Sequence, residues 1–345
     1  VRIAVVTSSP PNVEGGHMVI ARELTRALRD AGHDADVVVT PDFGFGRQAR
    51  AYAATWQTDV KTIDGRRVDQ VISLRYPSYA VRHPRHVCWL NHTMREYYDL
   101  WPYWRAELSA KGRVKEGIRR ALIHAADRYL LTRNVTRLFV QSRTIQQRLA
   151  MWPTLESTVL YPPAPHRRYR SGEYSQEFLY VSRLTPHKRA DLVIGALAER
   201  GAEHLRVTVA GEGSERERLE ASAATLGVSH RVTFTGRLSD EALLDRLARC
   251  RAVIFPPLQE DYGFVTVEAF ASRRAVITCT DSGGPAELVR DGVNGFVCEP
   301  TTKGIAQAMQ RLGGDVTLAE RMGQAACDAG ARLTWADTVR ALVLE

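Results

Sequence analysis

Short runs of aliphatic and β-branched residues alternate with amphipathic stretches along almost the whole chain, and the pattern begins twice. In the first half the runs fall at 2–7, 34–40, 70–74, 86–91, 137–141 and 158–161. In the second they fall at 178–182, 205–210, 232–235, 252–255, 275–278 and 295–298. Strands separated by helical stretches predict parallel sheets wrapped by helices. A helix is expected over 18–31, with Ile20, Leu24, Ala27 and Leu28 on one stripe. A longer one is expected over 104–131, a short one from the N-cap Ser142 to about Ala150, and a last one over 335–344.

The stretch from Tyr161 to Gln176 breaks the alternation. It sets Pro162, Pro163 and Pro165 among polar residues, and proline continues neither a helix nor a central strand. The chain therefore reads as α/β with two Rossmann-like domains, at 1–162 and 177–332, joined by a linker at 163–176. A length of 345 residues suits two domains of roughly 100–200 residues each. Two such domains joined by a hinge are expected to face a cleft at their strand C-termini, where these sheets bind ligands.

Hydrophobic content of 44% and charged content of 25% are those of a folded globular protein. No apolar run nears the roughly 18–20 residues that cross a bilayer, and no basic leader precedes the first strand. A cytoplasmic location is therefore expected. The five cysteines (Cys88, Cys250, Cys279, Cys298 and Cys327) are scattered and lack CxxC spacing, which points to thiols in a reducing compartment.

The net charge of +8 is uneven: residues 1–165 hold 24 Lys+Arg against 15 Asp+Glu, while the rest holds 23 against 24. Trp101, Tyr103 and Trp104, followed by Arg105, Lys111, Arg113, Lys115, Arg119 and Arg120, mix aromatic rings with cations. That mixture suits peripheral contact with an anionic inner membrane face, the plainer reading being a solvated helix. No RNP, KH, helix-turn-helix or zinc-finger pattern occurs, so nucleic acid is not an expected partner.

The richest chemistry lies at Gln259-Glu-Asp-Tyr-Gly-Phe-Val-Thr-Val-Glu268, between a strand and a helix. Gly263 lets backbone come close to a ligand, and the amides around Phe264 and Val265 at a helix start suit phosphate. Glu260 and Glu268 bracket that site, and carboxylates accept paired sugar hydroxyls. Arg183 and Lys188 follow the strand ending at Ser182, where two cations would neutralise a diphosphate. Gly283-Gly-Pro-Ala-Glu287 forms a further glycine-rich turn. Val209-Ala-Gly-Glu-Gly213 opens like a dinucleotide fingerprint, but Arg216 stands in place of the third glycine, which argues against NAD. His83, His86, Cys88 and His92 lack metal-ligand spacing, so no metal site is expected there, and His92 at a strand end is the better functional candidate. Gly15-Gly16 after the first strand either approaches a diphosphate or turns the chain.

Taken in order, these elements resemble the family-4 retaining glycosyltransferases of the two-domain GT-B architecture (glycosyltransferase group 1). The resemblance covers nearly the whole chain. It is most specific in Glu260-x7-Glu268, in Ser182-Arg183 with Lys188, in the stretch from Val209 to Gly213, in Gly236-Arg-Leu-Ser-Asp240 and in Gly283 to Glu287. It implies that Arg183 and Lys188 hold the donor diphosphate, that Glu268 takes the ribose hydroxyls and that Glu260 takes those of the transferred sugar. It further implies that amides around Gly263, Phe264 and Val265 contact phosphate or sugar, and that Gly16 approaches from the first domain. Arg237 and Leu238 would border the base, and His92 would lie by the anomeric face. The segment 333–345 would pack back onto the first, acceptor-side domain. Two positions depart from the family pattern: Ser182 stands where glycine is common, and Asp261-Tyr262 is a bulkier pair than usual.

The activity so implied is hexosyl transfer from a nucleotide-diphosphate-sugar to a hydroxyl acceptor (glycan, lipid-linked or small molecule), with retention and without a metal or other cofactor. A covalent glycosyl intermediate is one route to retention. Front-face displacement fits better, since it leaves Glu260 free to hold sugar hydroxyls and asks for charge stabilisation and positioning. The residues leave open a sugar phosphorylase, a nucleotide-sugar epimerase or a non-catalytic sugar-nucleotide binder of the same architecture.

Overall fold

The computed structural model describes residues 1–9 and 15–345. Contacts divide the chain into two compact units, Val1–Pro162 with Thr334–Glu345, and Pro163–Leu333. Each is built on a parallel six-stranded sheet.

The first unit carries β1 (Arg2–Ser9), β2 (Asp34–Pro41), β5 (Gln70–Arg75), β6 (His86–His92), β7 (Arg137–Val140) and β8 (Thr158–Val159), in the order β2-β1-β5-β6-β7-β8. A two-residue hairpin, β3 (Thr62–Ile63) with β4 (Arg66–Arg67), precedes β5. The helices are α1 (Gly16–Asp30), α2 (Gln48–Gln57), α3 (Trp101–Glu107), α4 (Ala110–Arg133) and α5 (Arg143–Leu149). The single long helix expected at 104–131 is therefore two. It breaks at Leu108 and Ser109, where the Ser109 hydroxyl accepts from Gly112 N and caps α4. Ser142 caps α5 as expected, accepting from Ile145 N.

The second unit carries β9 (Glu177–Val181), β10 (Arg206–Ala210), β11 (Val232–Gly236), β12 (Val253–Ile254), β13 (Val276–Cys279) and β14 (Gly295–Cys298), in the order β11-β10-β9-β12-β13-β14. Its helices are α6 (Ala190–Leu197), α7 (Arg216–Thr225), α8 (Asp240–Arg249), α9 (Phe264–Ala271), α10 (Gly284–Leu288), α11 (Thr302–Gly314) and α12 (Val316–Gly330). Alternate residues of β9 enter two cores, Phe178 and Tyr180 on one face and Leu179 on the other. That is why the strands read as continuous apolar runs. Strand order reverses between β9 and β12, and the gap outside their carboxyl ends is where such a sheet binds a ligand.

The proline-rich stretch 163–176, read as the inter-domain linker, is pinned to the second unit. Gly172 N donates to Ala248 O and Ser175 N to Arg249 O, each at 2.8 Å. Buried Arg274 donates to Gly172 O at 2.8 Å. Prolines exclude regular structure there, yet the amides and carbonyls that remain find partners.

The last helix, α13 (Trp335–Leu342), belongs to the first unit. Trp335 meets Trp89 edge-on, with centroids 6.3 Å apart. The buried Gln70 amide donates to Leu342 O at 2.7 Å and accepts from Leu344 N at 2.8 Å. In the same unit the buried carboxylate of Asp127 accepts hydrogen bonds from the hydroxyls of Tyr52, Tyr79 and Tyr98.

Candidate functional site

Two loops leave the strand-order switch of the second unit, one after β9 and one after β12, and their side chains lock together. The first runs through Ser182 and Arg183 into a single 3-10 turn, Pro186–Lys188. From it Lys188 Nζ reaches Glu260 Oε2 at 2.5 Å, with both side chains less than one-fifth exposed. The ammonium also sits 5.5 Å from the centroid of the Phe255 ring. Backbone joins the loops too, since Leu258 N donates to His187 O at 2.8 Å.

Sequence reasoning missed Arg189. This residue, in the left-handed region at φ 52°, donates to Pro256 O at 2.7 Å and Pro257 O at 2.8 Å. It also grips both carboxylate oxygens of Asp281 at 2.8 and 2.6 Å. A planar fork holding three loops at once is an arginine's task, one a lysine could not perform. Arg183, by contrast, is exposed, and its guanidinium makes no hydrogen bond or ion pair among the described residues.

The glycine-rich turn after β13 holds Glu260 from behind. Glu260 N donates to Ser282 O and Gly284 N to Glu260 O, both at 2.9 Å. A Cβ on Gly283 would lie 2.5 Å from Glu260 O, and its φ is 72°, so no other residue fits. Gly263, at φ 80°, begins α9; a Cβ there would lie 2.5 Å from the Phe255 ring. Phe264 and Val265 are thus the first residues of a helix whose opening amides have no carbonyl one turn back and carry the positive end of its dipole. Tyr262, one of the two bulky departures, turns inward: it is 4% exposed, with its ring edge-on to Phe264 at 5.5 Å.

Glu268 lies in α9 with 7% exposure. Its Oε1 accepts from Arg167 Nη1 at 2.8 Å and from the Tyr169 hydroxyl at 3.5 Å. Burial raises the carboxyl above its ordinary range, and the Arg167 charge pulls it partly back. Arg167 also pairs with Asp240 at 3.2 Å, just past the β11–α8 turn that contains Arg237 and Leu238. Leu238 packs against the cluster that includes Val265, whereas Arg237 is exposed. One arginine from the 163–176 stretch therefore ties that turn to Glu268.

The segment from Val209 to Glu215 is a brace. Ser182 N donates to Ala210 O at 3.1 Å, Leu184 N to Glu212 O at 2.8 Å and Glu215 N to Leu184 O at 3.0 Å. In the first unit Gly16 is the exposed first residue of α1, and His92 is the half-buried last residue of β6. His86 is buried with Nε2 2.8 Å from Ser73 Oγ, and burial pushes its pKa down to about 3. Burial likewise pushes the Cys88 thiol up to about 12. Both ring nitrogens of His83 meet backbone carbonyls, at Arg85 and Val68. Among the described residues no three His, Cys, Asp or Glu side chains gather as a metal site.

Residues 165–328, which carry all of these second-unit loops, match the family model of glycosyl transferases group 1. That stretch is similar to the group 1 glycosyl transferases. Curated proteins of similar sequence include an alpha-D-kanosaminyltransferase of Streptomyces kanamyceticus, 34% identical over 149 residues, or 42% of this chain and 38% of that one. A D-inositol 3-phosphate glycosyltransferase of Nocardia farcinica is 32% identical over 207 residues, or 54% and 46%. The chain thus spans less than half the length of these curated relatives. Among solved structures, sucrose-phosphate synthase from Thermosynechococcus elongatus superposes with a TM-score of 0.79 at 16% identity, covering 98% of this chain and 96% of that one. Anabaena HepE, solved with UDP and glucose, gives 0.67 at 17% identity over 98% and 97%. The fold is that of the GT-B glycosyltransferases.

Proposed function

We propose that the chain is a retaining glycosyltransferase that moves a hexosyl group from a nucleoside-diphosphate-sugar to a hydroxyl acceptor without a metal. The observation that carries the reading is the Lys188–Glu260 pair at the strand-order switch, beside the opening amides of α9. The diphosphate lies against Lys188, Arg183 and the amides of Phe264 and Val265. Glu260 holds hydroxyls of the transferred sugar. Glu268 holds the ribose, and Arg237 and Leu238 border the base.

Cations that already face the diphosphate stabilise the charge that grows on it as the glycosidic bond breaks. The departing oxygen then takes the acceptor proton on the face it leaves, and the new bond forms on that same face. A metal is superfluous where two side-chain cations and a helix start supply the charge. Free nucleoside diphosphate that appears only when acceptor is present, unchanged by EDTA and accompanied by a product of unchanged anomeric configuration, is the expected result. Diphosphate released equally without acceptor, or an inverted product, contradicts it. A melting-temperature screen against UDP, GDP, dTDP, ADP and CMP identifies the donor class through mass action.

The acceptor side supports contact with an anionic bilayer. Val114, Ile118 and Leu122 follow one another every four residues on α4 and are 66, 60 and 67% exposed. The carboxylates of α4, Glu116 and Asp127, are both buried, so its exposed charges are the cations Lys111, Arg113, Lys115, Arg128 and Arg133. Each cation near an acidic leaflet contributes about 1 kcal/mol. Among the described residues no helix is long and apolar enough to cross a membrane. Sedimentation with phosphatidylglycerol vesicles but not with phosphatidylcholine vesicles is expected, and equal behaviour with both removes the membrane from the proposal.

A further inference from the structure

Cys279 and Cys298 are the last residues of β13 and β14 and stand directly opposite each other in the parallel register. Their sulfurs are 3.9 Å apart. Cys279 is fully buried, whereas Cys298 is only partly so. The two thiols are unequal: their mutual contact holds the Cys298 thiol below its ordinary range and the Cys279 thiol above it. Cys88 and Cys250 are instead pushed up to about 12 by burial. A lowered, reachable thiol beside a buried one is the arrangement of an attacking and a resolving cysteine.

We infer that Cys298 and Cys279 form a reversible redox modification site that takes up a low-molecular-weight disulfide and closes to an internal one. In the first step the Cys298 thiolate attacks one sulfur of glutathione disulfide, forming a mixed disulfide and releasing one glutathione thiolate. In the second the Cys279 sulfur attacks Cys298 Sγ and expels the second glutathione, which leaves with the Cys279 proton. The protein loses two hydrogens, and one glutathione disulfide is reduced to two glutathiones. Bonding brings the sulfurs from 3.9 Å to about 2 Å. The two strand ends are already tied beside the pair, since Thr280 N donates to Cys298 O at 3.0 Å.

The bond would sit at the foot of the turn that holds Glu260. Cys279 N donates to Ser282 Oγ at 3.1 Å, and Ser282 O accepts from Glu260 N at 2.9 Å. Asp281 of the same turn is held by Arg189. Drawing Cys279 toward β14 therefore strains the backbone of Glu260. That this turn serves donor binding rests on the function proposed above; the disulfide and its local effect do not.

The test uses the intact chain, equilibrated with reduced and oxidised glutathione and then acid-quenched. Peptide mapping is expected to find Cys279 joined to Cys298. Cys279→Ser is expected to stop at a single glutathione adduct on residue 298, and Cys298→Ser to take up none at either position. Hydrogen exchange at the Glu260 and Gly284 amides is expected to be about tenfold faster in the oxidised protein. Both thiols remaining free at full oxidation, or a bond between either one and a different cysteine, overturns the site. A Cys279–Cys298 bond with unchanged exchange over 256–264 overturns its coupling to Glu260. Mapping of the unaltered chain decides the first point even if a serine variant fails to fold.

Discussion

The guanidinium of Arg167 lies 2.8 Å from the buried carboxylate of Glu268, joining positions 101 residues apart. Taking the arginine away leaves a buried carboxylate without its cation. Arg167→Ala is expected to lower stability by about 3 kcal/mol in urea unfolding. The folded chain keeps the Glu268 proton at a pH where the unfolded chain, at 4.5, has released it. The contribution of Glu268 to stability therefore falls as pH rises above 4.5, and Arg167→Ala extends that decline to higher pH. A variant as stable as the parent, with the same pH profile, shows that the pair does not act this way.

Lys188 is expected to stabilise the departing diphosphate. Lys188→Ala should reduce turnover by about 10²–10³ with any competent donor and acceptor. Equal rates for variant and parent take the lysine out of the mechanism.

Gly283 fills a position where a side chain would collide with Glu260 O at 2.5 Å and where φ is 72°. Gly283→Ala is expected to cost roughly 1–3 kcal/mol and to weaken nucleotide binding, because the turn must move away from Glu260. A melting temperature and a nucleotide-induced shift both equal to the parent's would contradict this.

Asp127 gives the first unit a pH signature. Its carboxyl is raised to about 6 by burial, against the three tyrosine hydroxyls that donate to it. Between the ordinary 3.8 and about 6 the folded chain binds the proton and the unfolded chain does not. Its contribution therefore declines by about 1.4 kcal/mol per pH unit as pH rises through that window, and is flat above it. His86 works in the opposite sense, since its pKa of about 3 makes stability fall as pH drops below 6.5. Asp127→Asn is expected to remove the first slope and leave the second. An unaltered difference between pH 4 and 6 in denaturant titrations sinks the assignment.

All twelve strands of the two main sheets were legible as apolar or β-branched runs, although β2, β7, β8 and β11 are partly exposed. The hairpin β3–β4 went unread although Asp64-Gly65 is a recognised turn signal, since two-residue strands leave no periodicity. Ser109 as a cap inside the long helical stretch was a local signal that was also passed over. In the site, Glu260, Lys188 and Gly263 were legible because each lies in a loop following a strand. Arg167 and Arg189 were not. Their partners, Glu268 and Asp281, are 101 and 92 residues away, and only tertiary packing brings them within reach.

The first unit is completed by α13, which follows the whole of the second in the chain. On a ribosome the second unit therefore has all its residues before the first has its last helix. Until Leu342 and Leu344 emerge, the Gln70 side chain lacks both of its backbone partners and the Trp89 ring lacks Trp335. Completion of the amino-terminal unit thus waits on residues made after the whole of the second.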